Sequence, residues 1–493
     1  MEVTSAHEAS ETEQVRGWRP PSASAPGSER SSVADEMARG RAARKLVPRS
    51  RHGEWVAADD RADPVELLED QARSRLPELN PIRYGRMLVS PFTFFRGAAA
   101  VMASDLAGEP RTGLDVQLCG DAHLSNFGTY AGPDRRLIFS VNDFDETLPG
   151  PFEWDVKRLV ASFAVAGRDR GLSDPERESV TRSVARSYRE AMRSLAELRA
   201  VELWYLDIDR DVEGSVKEWT RRVSRDQRKL FERDVAKARA RDSLRAFAKL
   251  TELVDGRPHI VNDPPLIVPI EELPAAEDPV RLEAAIHAVV RHYRSTLPPD
   301  RRRLLERYHY VHAARKVVGV GSVGTRVWIV LLLGRDDGDP LFLQMKEAQR
   351  SVLEPHLGRS EFANNGRRVV EGQRLMQPTS DILLGWIRTT GWIDGMDRDF
   401  YVRQLWDGKG SAPVDVMDGQ ALASYGELCG WALARAHARS GDPIALGSYL
   451  GSGDVFDGAM TSFGEHYADR NERDYEALCA AARSGRIAVQ GGL

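Results

Sequence analysis

The window Gly120-Asp121-Ala122-His123-Leu124-Ser125-Asn126, followed by Asn142-Asp143-Phe144-Asp145, holds the residue types that phosphoryl transfer requires of a protein. That reaction asks for little covalent help. It needs a carboxylate to orient or deprotonate the acceptor hydroxyl, and oxygen ligands for the Mg2+ that accompanies the phosphates. Asp121 fits the first task. Asn126 offers a neutral oxygen and Asp143 a charged one, with Asp145 and Glu146 near enough in sequence to join them. His123 either positions the loop or touches phosphate, and a plain hydrogen-bonding strut is an equal alternative. Taken singly, Gly-Asp and Asn-Asp are ordinary turn formers; their order and spacing make the case.

A second group lies much later. Gly319-Val320-Gly321-Ser322-Val323-Gly324 precedes the β-branched and aliphatic run Val327–Leu333. A dinucleotide-binding fold needs a helix directly after such a loop. This composition predicts a strand instead. Strand, glycine loop, strand is the arrangement in which backbone amides cover nucleotide phosphates. Gly319, Gly321, Ser322 and Gly324 are therefore candidate ATP-binding positions. Lys346 ends the next apolar stretch, where an amine reaches the α- and β-phosphates. Glu371, within a helical stretch over 366–375, is the candidate partner for that amine, although Arg367, Arg368 and Arg374 compete for it. Residues 400–405 are then the candidate strand beside the adenine.

To bring these groups together the chain needs strands around each loop and helices to support them. Residues 116–119 and 137–141 read as short strands flanking the first motif, and 153–166 and 174–201 as helices. A helix is expected to start at Asp63-Pro64, with Asp63 as its cap. Residues 1–60, rich in Ser, Pro, Glu and Arg, read as a disordered tail. Residues 210–250 mix both charges as a solvated helix face does. A proline-rich connector over 255–269 and a helix over 280–308 follow. Strands are predicted over 316–318, 327–333, 341–345, 382–387 and 400–405, with a helix over 362–376 among them. From Gly419 the pattern is helical, with breaks near Gly441 and Gly451.

Composition narrows the class. The 493 residues are 42% hydrophobic and 29% charged, which suits a globular protein of two or three lobes. A net charge of -5 gives no field to recruit nucleic acid. Cys119, Cys429 and Cys479 are too few and too far apart for a disulfide framework or a zinc site. Met1-Glu2-Val3-Thr4 does not begin a signal peptide, and the longest aliphatic run cannot span a bilayer. The expectation is a cytoplasmic protein with neither membrane nor nucleic acid as partner.

The first motif resembles the H-G-D-x-H-x-x-N loop of aminoglycoside and choline phosphotransferases, with Cys119 in place of the leading His. That resemblance implies that Asp155, on the following helix, braces the catalytic loop through backbone amides; a salt bridge to Arg158 is the alternative. It also implies that residues 433–437 form the helix that leads into the loop, with His437 structural. Over about residues 60–480 the chain is similar to the bacterial family called domain of unknown function 2252. The similarity rests on Pro81-Ile82-Arg83-Tyr84-Gly85-Arg86-Met87, Ser90-Pro91-Phe92-Thr93-Phe94-Phe95-Arg96-Gly97, the Asp121 and Asp143 motifs, Trp154-Asp155-Val156-Lys157-Arg158-Leu159, Tyr401-Val402-Arg403-Gln404-Leu405 and Leu433-Ala434-Arg435-Ala436-His437-Ala438.

Kinases run glycine flap, lysine, glutamate, catalytic loop, metal Asp; here the last two come first. The expected architecture is α+β: a two-lobed protein-kinase-like fold, circularly permuted, with a small antiparallel sheet lobe and a larger helical lobe. Its expected segments are the tail over 1–60, a helical lobe carrying the catalytic and metal loops over 61–310, a nucleotide-binding sheet lobe over 311–410, and completing helices over 411–493. The expected activity is ATP- and Mg2+-dependent phosphotransfer to a small-molecule or protein acceptor. Nucleotidyl (AMP) transfer on the same fold, or a non-catalytic nucleotide-binding scaffold, are the alternatives. Arg83, Arg86 and Arg96 are candidates for contacting an anionic substrate.

Overall fold

In the computed structural model, the structure describes residues 31–206, 242–273, 279–391 and 395–492, with a few positions between 228 and 237. The described residues open with α1 (Val33–Leu46), α2 (Pro64–Ala72), α3 (Asn80–Met87), α4 (Pro91–Gly97) and α5 (Ala99–Ala107). Four strands follow: β1 (Asp115–Leu118), β2 (Phe127–Ala131), β3 (Leu137–Val141) and β4 (Leu148–Pro151). Then come α6 (Phe152–Asp169), α7 (Asp174–Leu195), α8 (Ala200–Tyr205) and α9 (Ser243–Leu250). β5 (Thr251–Val254), β6 (Arg257–Ile260), β7 (Ile267–Pro269), α10 (Pro279–Ser295) and α11 (Pro299–Leu305) lead to β8 (His309–Lys316), β9 (Val327–Leu333) and β10 (Pro340–Glu347). After α12 (Glu354–Leu357) and α13 (Asn365–Met376) come β11 (Gly385–Thr389), β12 (Arg398–Gln404) and β13 (Gly410–Ser411). The last helices are α14 (Gly419–Ser440), α15 (Pro443–Leu450) and α16 (Val455–Arg483).

The fold is mixed α+β, with small sheets whose strand pairs are all antiparallel. The main sheet has six strands in the order β11-β12-β10-β9-β8-β7. Its central strand β10 is buried along its whole length, so alternate residues enter two cores. Leu341, Leu343 and Met345 pack with Tyr293 and Leu297 of the α10 region, while Phe342 packs with Ala246 and Leu250 of α9. The largest core unites α6, α7, α14 and α15 with β1–β4, so the helical layer is assembled from distant parts of the chain.

Several expected elements are confirmed by the caps that start or end them. Asp63 caps α2, its carboxylate accepting from Val65 and Glu66 N–H, with Pro64 in the first turn. Gly441 and Gly451 close α14 and α15. Other expectations are corrected. Within residues 1–60, α1 is an ordered helix held by a Ser32–Asp35 capping box. It docks on α15, where Arg44 and Arg49 donate to the Ser448, Tyr449 and Leu450 carbonyls. Residues 1–30 lie outside the described residues. The connector over 255–269 contains β6 and β7, and β7 is the edge strand of the main sheet. The single helix over 280–308 is two, separated where Leu297-Pro298-Pro299 cannot continue α-helical geometry. Most of the charged stretch over 210–240 lies outside the described residues.

Candidate active site

β1 pairs with β4 through Leu118↔Leu148, and β2 with β3 through Phe127↔Val141. The loops 119–126 and 142–147 therefore leave the same end of these pairs and lie side by side. Asn142 N–H donates to the Asn126 carbonyl at 2.9 Å, tying one motif to the other. The first loop is braced from α6 by Asp155, in the role that the phosphotransferase resemblance implies. The Asp155 carboxylate accepts from Cys119 N–H at 2.8 Å and Gly120 N–H at 3.1 Å. His437 Nε2 lies 3.2 Å from the same carboxylate, and Tyr188 Oη lies 2.9 Å from His437 Nδ1. His437 thus acts as a buried strut. Gly120 has φ +84°, and a Cβ there would run into the Glu146 backbone. The close approach of the two loops requires glycine.

Arg158 does not take Asp155; it takes Asp121. Its Nε donates to Asp121 Oδ1 at 2.8 Å while Nη2 donates to the Phe95 carbonyl and the guanidinium lies over the Phe95 ring. One carboxylate oxygen of Asp121 is thereby fixed. The other, Oδ2, is 3.8 Å from His123 Nε2. Burial pushes the His123 imidazole down to about pKa 4, so the ring is neutral at pH 7. Asn126 Nδ2 donates to the Asp121 carbonyl at 2.8 Å, which leaves its carboxamide oxygen as the ligand atom.

The main sheet meets these loops through one face of two neighbouring strands. Lys346 on β10 stands opposite Tyr401 on β12, and Gln344 opposite Arg403. Tyr401 Oη donates to Asp145 Oδ1 at 2.9 Å, and Lys346 Nζ donates to Asp145 Oδ2. Burial opposes the charge on Lys346, yet Asp145, Tyr401 and Asp143 together hold its pKa above the ordinary value. Burial alone would raise the Asp143 carboxyl; Lys346, Arg403 and Lys409 overcome it and hold the group down at about 2. Lys409, beside Arg403 and buried, is itself pushed down to about 7.

Glu371 is not the partner of Lys346. It lies 3.6 Å from Arg374 and 4.0 Å from Arg367 on its own helix, half-exposed. From α13, Arg368, fully buried, donates to the carbonyls of Asp145, Thr147 and Gln349. Glu371, three positions on from Arg368, is turned from it by about 60° around the axis, since successive positions are rotated by about 100°. Both oxygens of Asp145 are engaged by Tyr401 and Lys346 and Asp143 Oδ1 accepts from Asp145 N–H at 3.2 Å, so the Asn126 carboxamide oxygen and Asp143 Oδ2 remain open.

A cavity of about 670 Å³ runs between the sheet and the helical layer. Asp121, His123, Asn126, Asp143 and Asp145 line it, as do Gly319, Gly321 and Ser322. Motifs far apart in sequence thus share one cleft. Gly324, Lys346 and Glu371 are not among its lining residues. The glycine loop is fastened to the N-terminal helices: Arg86 Nη1 donates to the Gly319 carbonyl, Arg75 Nη1 to the Val323 carbonyl and Leu76 N–H to the Gly324 carbonyl. Ser322 Oγ lies 3.5 Å from Asp145 Oδ2. The sequence offers neither Arg158 nor Arg368 as a site residue, and it places Tyr401 and Arg403 only within a candidate adenine strand, not beside Asp145 and Gln344. Only the strand register marks the last two, as period-two neighbours of the Lys346 face.

No curated protein and no solved structure matches this chain. A family model described as an uncharacterized protein conserved in bacteria, DUF2252, matches residues 75–481, and the chain belongs to that family.

Proposed function

We propose that the protein is an ATP- and Mg2+-dependent phosphotransferase with a two-lobed, circularly permuted, kinase-like arrangement. The observation that carries this reading is the single cleft shared by Asp121, Asn126 and Asp143 on one side and the Gly319–Ser322 turn on the other. The order along the sheet supports it as well. A glycine loop joins β8 to β9, a buried lysine sits on the next strand, and a helix follows. That is the order of flap, lysine strand and supporting helix in kinase chemistry.

The donor set fits a hard cation: the free oxygen of Asn126 and the low-pKa carboxylate of Asp143 face the same cavity as the flap. When bound, Mg2+ would neutralise phosphate charge between them. Asp121, with Oδ1 held by Arg158, presents Oδ2 to an acceptor hydroxyl. In the transfer, that hydroxyl gives its proton to Oδ2, its oxygen bonds to the γ-phosphorus, and the bond to the ADP bridging oxygen breaks. Lys346 is buried beside Asp145 and Tyr401 and does not line the cleft, so it would reach nucleotide phosphate only by giving up Asp145.

Calorimetric titration of Mg-ATP into wild type and Asp143→Asn tests this reading. Metal-dependent binding that weakens in the variant is expected. No binding of any nucleotide by the folded wild type, with Mg2+ or Mn2+, would sink it.

A further inference from the structure

We propose that Arg96 is the cationic contact for the γ-phosphoryl group, resting on the phosphotransferase reading above. Three arginines in the N-terminal helices were candidates for an anion, and the structure separates them. Arg83 is fully buried and donates to the Leu68 and Gly97 carbonyls and to Gln71 Oε1. Arg86 holds the Gly319 carbonyl at 2.6 Å. Arg96 differs from both. It lines the cleft, and among the described residues its guanidinium makes no hydrogen bond or ion pair. Its Nε is buried without a partner. A partly buried guanidinium without a partner costs free energy unless an anion arrives to satisfy it.

Its position specifies which anion. The Arg96 carbonyl is the nearest atom, 3.4 Å, to the place where a Cβ on Gly321 would stand, so the residue abuts the flap. Asp121 and His123 line the same cleft, and the Asp121 carboxylate favours the charge on Arg96. Arg96 therefore shares one cleft with the turn that covers phosphates and with the carboxylate that receives the acceptor proton. The group that must pass between those two places is the transferring phosphoryl. A guanidinium there hydrogen-bonds its non-bridging oxygens as the bond to ADP breaks and the bond to the acceptor forms. Arg96 neither gives nor takes a proton in that step. It is fixed from below, since α4 begins with a Ser90–Thr93 capping box and the two residues before it, Phe94 and Phe95, are core residues.

The test compares two ligands on the full chain: the Mg2+ complexes of ADP and of the non-hydrolysable β,γ-imido analogue of ATP, each titrated calorimetrically. Arg96→Gln is expected to lose about ten- to a hundred-fold in affinity for the analogue, the worth of charged hydrogen bonds, and to bind ADP within two-fold of wild type. Arg96→Lys, which keeps the charge but not the fork, is expected to recover part of the loss. Unchanged analogue affinity in Arg96→Gln, or equal losses for both ligands, would overturn the assignment while leaving the nucleotide site standing. If neither ligand binds wild type, the phosphotransferase reading fails and this inference with it. The fold should survive the change, because no hydrogen bond is removed; a thermal melt of each variant checks that.

Discussion

At the scale of single residues, the site is built from charges that are held rather than free. Asp121 has one oxygen fixed by Arg158 and one directed to the cleft. Asp121→Asn should leave nucleotide affinity near wild type and lower turnover by about 10²–10⁴, the usual worth of a positioned base; steady-state ATP turnover with the acceptor, or with water in its place, measures this. Asp145 neutralises a buried ammonium. Asp145→Asn should cost about 3–5 kcal/mol by leaving Lys346 uncompensated, and adding Lys346→Met should recover most of it in urea denaturation. A double variant no more stable than Asp145→Asn would mean the pair is not coupled. Glu371 is the contrasting case. As a surface partner of arginines it should be dispensable, and Glu371→Ala should change Mg-ATP affinity by less than two-fold.

At the scale of elements, the main sheet extends further toward its β7 edge than the composition implies, and His312 holds that extension. Ile260 N–H at the end of β6 donates to His312 Nδ1 at 2.9 Å. The neutral ring must then carry its proton on Nε2, which donates to Glu271 Oε1 at 2.9 Å. His259 lies near enough that the three side chains gather like a metal site. The tautomer argues otherwise, because Nε2 has no lone pair to give while Nδ1 accepts from a backbone amide. Added zinc should therefore not raise the melting temperature. His312→Ala should cost about 1–3 kcal/mol through the stranded Ile260 amide, read by chemical denaturation. A zinc-dependent rise in Tm abolished by the same change would refute the assignment of the proton.

At the scale of the whole molecule, the helical layer closes by bringing α1 onto α15. The turn after α1 buries His52, whose Nε2 lies 2.7 Å from Tyr449 Oη. That hydroxyl also donates to the Val47 carbonyl. Burial, aided by the nearby Lys157 charge, pushes the imidazole down to about pKa 3 from an ordinary 6.5. The folded value lies below the unfolded one, so this contribution to stability is complete above about pH 6.5 and is lost as pH falls toward 3. The stability gap between wild type and His52→Gln should shrink between pH 7 and pH 4. A gap independent of pH would mean the ring is not held neutral. Deleting residues 33–60 should destabilise the protein, since it strips a docked helix and its capping arginines from α15.

The two loops around Asp121 and Asp143, the glycine loop, the strand that carries Lys346 and the Asp155 brace could all be read from residue type and order, because each depends on local chemistry: a turn, a strand end, a helix start. The DUF2252 relationship was readable for the same reason. The α1 helix was not, since its polar composition reads as a tail and only the exposed carbonyl end of α15 gives it a place to dock. The partner of Lys346 was not legible either. Asp145, two residues beyond Asp143, competes with Glu371 on a helix, and sequence does not say which face of β10 the ammonium occupies. The register of β10 against β12 decides it, setting Lys346 beside Tyr401 and both over Asp145. Arg158 and Arg368 reach their targets across gaps in sequence that only packing closes. Composition and spacing determined which groups are available for chemistry; which of them meet was decided by strand register and by the closure of distant helices into one layer.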